Sequence, residues 1–232
     1  TYMFSPKVLD RAHVLEVHSL RPSQYISCST PVATMDLSCA NNLLREAIDG
    51  RESGAKQFDN PAAILDGLVS DYGFADEEVK KYQALTLAVL DGAYHLLQPV
   101  GFDFAFRVVK EVYGYMWVWV KSQLEMGKSP IEALDTWVEG LDRALFQKVL
   151  PKIHGNRMAL GDSLSAFAAF LDGGDAKAVP AVKYALGAGE VVQIEPGAGL
   201  ALPEGKSFTQ SISKLMAMHR RLTTRNYVSF VR

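Results

Sequence analysis

Between Asp76 and about Met126 the chain carries two long runs of helical periodicity, separated by Pro99. In the first, Val79, Tyr82, Leu85, Val89, Leu90, Tyr94 and Leu97 outline an apolar stripe that predicts one helix over 76–97. Pro99 lacks a backbone N–H and blocks continuation. Asp103 is placed to cap the second run, through Phe106, Val109, Val112, Met116, Trp119 and Val120. From Val112 to Val120 that run is apolar nearly all round, so its helix belongs at the centre of a bundle. Two adjacent helices of this kind leave little room for a sheet-based domain.

The remainder extends the same pattern. Ser129-Pro130 opens a helix predicted to run to Leu150, where Pro151 interrupts it. Asn156 to Leu171 reads as another, closed by Gly173-Gly174, and Ser207 to about Leu222 as the last. Residues 189–205 break the helical pattern. Val191–Ile194 is strand-like, and Pro196, Gly197, Gly199, Pro203 and Gly205 are turn residues. A strand-like end follows at Tyr227–Val231. Before residue 76, Cys39–Ile48 and Pro61–Val69 predict short helices around a polar loop at 49–60, and residues 21–37 read as a connector.

Composition excludes more than it proposes. The 232 residues carry a formal charge of −2, which gives no bulk reason for binding nucleic acid or membrane. No apolar run reaches the roughly 20 residues that span a bilayer. Cys28 and Cys39 are the two cysteines and lack metal-ligand spacing, which fits a reducing, cytoplasmic setting without a structural metal. His13, His18, His95 and His219 likewise lack metal spacing.

The N-terminal segment adds the functional expectation. Ser5-Pro6 is a cap-then-Pro helix entry, and Leu9-Asp10-Arg11 ends that short helix before Val14, Leu15 and Val17 form a buried strand. This Leu-Asp-Arg arrangement resembles the tail of an AAA+ ATPase core, in particular its MoxR and McrB-like branches. Phe104-Ala-Phe-Arg107-Val-Val-Lys-Glu-Val112 resembles the lid helix that carries the sensor-2 arginine in McrB-like ATPases. Val149-Leu-Pro-Lys152-Ile-His154-Gly-Asn-Arg157 resembles a Leu-Pro-Lys-Ile-His-Gly stretch downstream of that helix in bacterial McrB-like proteins. These pieces touch roughly a quarter of the chain, in the family's order.

The resemblance implies three regions: the tail of an AAA+ α/β core at 1–20, a connector with short helices and a loop at 21–75, and a helical lid-like domain at 76–232. The fold class is accordingly mostly α, a helical bundle with a short helix–strand remnant and a small β excursion near 189–205. It further implies the C-terminal region of a motor subunit of a DNA restriction or defence system, inactive alone. Arg11 would act in trans as an arginine finger and Arg107 as sensor 2. The intact parent would use ATP or GTP with Mg, none of it bound to this fragment. Its partners would be the upstream AAA+ core, neighbouring ring subunits, a McrC-like nuclease subunit and DNA, with no membrane.

Each residue also has a plainer role. Arg11 can pair with Asp10 or Glu16, and Arg107 with Glu111 one turn on. Relatives carry a Pro-Arg pair near the final helix, where this chain has Thr209-Gln210. Gly199-Leu-Ala-Leu-Pro-Glu-Gly205-Lys206-Ser207 imitates a phosphate-binding loop, yet five residues precede the Gly-Lys pair where four are needed, and Pro203 removes a donor. Ser207 is instead a helix cap. Lys152 and Arg157 form a basic cluster around His154 and Gly155. Residues 206–232 hold six basic side chains and no acidic one, so Lys214, Arg220 and Arg221 join Lys152 and Arg157 as candidates for contact with nucleic acid or a partner. A nonenzymatic helical interaction module, built on Tyr113, Tyr115, Trp117 and Trp119, is the other reading, and a DNA-binding domain a third.

Overall fold

The computed structural model describes residues 38, 41–42, 45, 68–69, 71–102, 106–173, 182–185, 191–194 and 200–230. The expectations for Arg11, for the cap at Asp103 and for most of residues 1–67 lie outside these. The described chain is mostly helical. Its helices are α1 (Asp76–Leu97), α2 (Phe106–Glu125), α3 (Pro130–Asp135), α4 (Trp137–Lys148), α5 (Arg157–Leu171) and α6 (Thr209–Arg225). Two antiparallel strand pairs accompany them. β1 (His154–Asn156) pairs with β4 (Tyr227–Ser229), and β2 (Val182–Ala185) pairs with β3 (Val191–Ile194).

The first helix ends as its sequence demands. A 3₁₀ turn at Gln98–Val100 follows, and Gly101 takes a left-handed conformation (φ 86°) that lets Phe102 fold back, its N–H donating to Leu97 O. The predicted single helix over 129–150 is two. Ser129 and Glu132 form a reciprocal capping box at the start of α3, and Pro130 occupies its first turn. Thr136 then leaves helical geometry, its hydroxyl donating to Ala133 O at 2.7 Å, and α4 restarts at Trp137. Thr136 O and Oγ1 also accept from Trp119 Nε1 of α2, at 3.2 and 3.0 Å, a tertiary contact that apolar periodicity does not register.

α2, α4, α5 and α6 supply the centre of one core, with α1 packed on α5. Val112, Met116 and Val120 of α2 face Trp137, Leu141 and Leu145 of α4, and all are buried. Leu160, Leu164 and Phe167 of α5, with Leu215, Met218 and Leu222 of α6, extend it. Two glycines permit close approach. A Cβ on Gly92 would enter the Phe170 ring, and one on Gly140 would stand 2.6 Å from Trp119 Cδ1.

Trp117 and Trp119 are half-buried; the tryptophan that fills the core is Trp137, fully buried. Its indole Nε1 donates to Thr86 Oγ1 at 3.0 Å, and its ring stacks on Tyr82 at 5.5 Å. No described helix is long and apolar enough to cross a membrane.

Candidate functional site

Phe102 follows the turn that ends α1, and the structure brings it to the Leu-Pro-Lys-Ile-His-Gly stretch. Leu150 and Pro151 are buried in a 3₁₀ turn, and Ile153 anchors its exit. His154 then enters β1, with its ring edge-on to Phe102 at 5.1 Å and its Nδ1 2.9 Å from Lys152 O. Asn156 closes the segment by accepting from Ala159 N at 3.0 Å, the cap of α5. Gly155 has φ 154°, a conformation that glycine adopts with least strain, and an added Cβ would lie 3.0 Å from Leu160. The end of the α1 turn and the Leu-Pro-Lys-Ile-His-Gly stretch, far apart in sequence, therefore meet at one corner of the bundle.

Arg107 is exposed in the first turn of α2. The carboxylate expected to hold it, Glu111, is engaged elsewhere: its Oε2 lies 2.7 Å from Lys148 Nζ of α4. The Lys148 side chain is only 2 % exposed and that of Glu111 27 %. A desolvated ammonium needs such a partner, so Glu111 serves the α2–α4 contact first.

The start of α6 carries the most elaborate polar arrangement. Ser207 does not cap this helix. Asp142 of α4 does so from across the core, accepting from Gln210 N at 2.8 Å and Ser211 N at 2.9 Å. Ser211 Oγ returns a bond to Asp142 O at 3.2 Å. Burial pushes the Asp142 carboxyl above its ordinary range, and the bonds from Ser211 and Gln210 counter that only in part. Thr209-Gln210 thus lies at a carboxylate-capped helix start. Lys206, the lysine of the imitation phosphate loop, is held by Asp135 Oδ2 at 2.6 Å.

The basic candidates separate. Arg157 and Arg220 are exposed, and Lys152 and Arg221 are half-buried. Lys214 is not a surface residue. It is 7 % exposed, with its ammonium 4.1 Å from the Phe230 ring centroid and 5.9 Å from that of Phe146. Its position explains this: Ser211, Lys214, Leu215, Met218 and Leu222 share the buried face of α6, and the cation rests on aromatic faces there.

Sequence reasoning missed Asp142, Lys148 and Trp137. For the first two a signal existed, since Val138, Leu141, Asp142 and Leu145 lie at core spacing and Lys148 continues the row. A charge on an apolar stripe marks either a surface or a paired buried group. Among the described residues no group of His, Cys, Asp or Glu could hold a metal ion.

The model of one family, a domain of unknown function (DUF8727), matches residues 70–227. That is most of the chain and nearly all of the bundle. The chain belongs to the DUF8727 family. The matched span begins just before α1 and ends at the first residue of β4. The α2 entrance, the His154 corner and the Asp142 cap all fall within this DUF8727 region. No curated protein and no solved structure matches the chain.

Proposed function

We propose that the chain is the C-terminal region of a McrB-like AAA+ motor subunit of a DNA restriction or defence system, acting in the cytoplasm. In this reading the DUF8727 bundle is the helical lid, Arg11 is the finger offered to a neighbouring subunit, and Arg107 senses the nucleotide. The observation that carries the reading is that both lid pieces of the family likeness contribute to one core, Val108 and Val112 from the first and Val149, Leu150 and Ile153 from the second, all buried. Arg107, in the first of these pieces, is exposed.

A guanidinium suits both roles. Its charge is permanent and its planar donors match phosphoryl oxygens, so it stabilises charge growing on a transferring phosphoryl group. The phosphate cradle and the magnesium ligands would come from the upstream core, and ATP or GTP with Mg would bind there in a ring of subunits. A McrC-like nuclease would be the driven partner.

The test begins with the coding sequence upstream of Thr1, where a P-loop and an apolar strand ending in Asp-Glu are expected. In the assembled parent, Arg11→Ala should leave nucleotide binding intact and lower turnover by about 10³-fold or more. Mixing it with a subunit lacking the P-loop lysine should restore part of the activity. Wild-type turnover of Arg11→Ala, or an upstream region without these motifs, would defeat the proposal.

A helical interaction module is the second reading. It is favoured by Ile131 at 82 % and Met126 at 50 % exposure around the α2–α3 turn, beside a helix whose Tyr115 and Trp119 are half-buried and stacked at 6.3 Å.

A further inference from the structure

We infer that the corner where α5 begins and α6 ends is a sequence-independent docking surface for the phosphate backbone of nucleic acid. This goes beyond the motor reading, and neither Arg11 nor Arg107 takes part.

The corner is assembled by backbone bonds. Arg157 N donates to Asn226 O at 3.2 Å, and Asn156 pairs with Tyr227 across β1 and β4. Asn226 takes a left-handed conformation (φ 54°), which turns the chain sharply at the end of α6. Arg157, the first residue of α5, is thereby placed beside Arg225, the last of α6. Arg221, half-buried, lies one turn before Arg225 on the same side of α6. Among the described residues none of these three side chains enters an ion pair.

Charge makes the corner one-sided. No acidic residue occurs from 206 to 232. The carboxylate nearest on α5 is Asp162, five residues from Arg157 and so about 140° around the helix. Lys206 is committed to Asp135 and Lys214 is buried, so among the described lysines and arginines of 206–230 the outward charge is carried by arginines. The nearby hydroxyls are bonded to the helix backbone, Thr223 Oγ1 donating to Arg220 O at 2.7 Å and Thr224 Oγ1 to Arg221 O at 3.1 Å.

Arginine is the residue suited to phosphate, because its fork donates two parallel bonds to two oxygens. A protein partner of this size is expected to need a desolvated apolar centre. The corner offers only Met158 and Tyr227, at 99 % and 44 % exposure. A polyanion needs no such centre, since release of its condensed counterions supplies the free energy.

The experiment is fluorescence anisotropy of the 232-residue chain with a short labelled DNA duplex, and with one of its single strands, over a series of salt concentrations. Three phosphate contacts predict a log–log salt slope of about −2 to −3 on duplex, with affinity in the weak range of about 10⁻⁴–10⁻⁶ M near physiological salt. Arg157→Gln with Arg225→Gln should flatten the slope by about 2 and leave the melting curve unchanged, as both side chains are exposed. Adding Arg221→Gln should flatten it further. Binding of either oligonucleotide with these responses supports the proposal. Absence of binding to both at low salt overturns it, as does binding whose slope the variants do not change. Capture of phosphatidylserine vesicles without binding to either oligonucleotide also overturns it.

Discussion

Asp142 on α4 and Ser211 on α6, 69 residues apart, bond each other twice: the carboxylate accepts from Ser211 N at 2.9 Å and the Asp142 carbonyl accepts from Ser211 Oγ at 3.2 Å. With Gln210 N on the second carboxylate oxygen, two of the four orphan donors at the start of α6 are satisfied by a side chain from another helix. Asp142→Ala would leave these groups facing a buried void. The expected loss is about 2–3 kcal/mol in urea denaturation, with a smaller loss for Asp142→Asn, which keeps one acceptor oxygen. Equal stability of Asp142→Ala and wild type would remove the cap from the account.

The same carboxyl gives a pH dependence with a definite sign. Its folded-state pKa is raised by burial, so over the window above its ordinary value of 3.8 the folded chain holds more protons than the unfolded one. Stability from this group is therefore present at low pH and falls as pH rises through the raised pKa. The stability of wild type relative to Asp142→Asn should decline across that window and be constant above it. A relative stability that rises with pH in the acid range would reverse the assignment.

Lys148 and Glu111 tie α4 to α2. Lys148→Ala removes the ammonium and leaves a partly buried carboxylate without it. Because Glu111 keeps some solvent contact, the cost should lie at the lower end for broken buried pairs, about 2–3 kcal/mol. Lys148→Met with Glu111→Leu should recover most of that loss, since neither charge is then desolvated. Denaturation midpoints of the single and double variants decide the matter; a double variant less stable than Lys148→Ala would contradict it.

The three tryptophans should separate cleanly. Trp137→Ala empties a fully buried site and is expected to cost about 3–5 kcal/mol. Trp117→Ala and Trp119→Ala each uncover less, and should cost clearly under that. Fluorescence provides an independent check, with loss of Trp137 removing the bluest component of the emission.

Arg107 is an exposed first-turn residue, so Arg107→Ala should change stability by no more than about 0.5 kcal/mol. Any larger effect of this variant on nucleotide-dependent behaviour of the parent would then be functional. Unfolding of the bundle by Arg107→Ala would instead assign the residue to the fold.

Local pattern determined a good part of this protein. The stripe from Val79 to Leu97 together with Pro99 places α1 and its end, because one row of apolar residues and one missing donor act within a few turns. The helix over 156–171 and the strand at Val191–Ile194 were legible for the same reason. The break at Thr136 was not, since its carbonyl and hydroxyl accept from Trp119 of α2, 17 residues away, and such a partner leaves no trace in apolar periodicity. Tertiary structure alone decided which polar residues are interior. Asp142, Lys148 and Lys214 each sit on an apolar stripe, and nothing nearby in sequence says whether such a charge is solvated or paired. Their partners lie tens of residues away in the chain, and a buried charge is stable only where the fold supplies that partner. The same holds for the corner of Arg157 and Arg225, two residues made neighbours by strand pairing between β1 and β4.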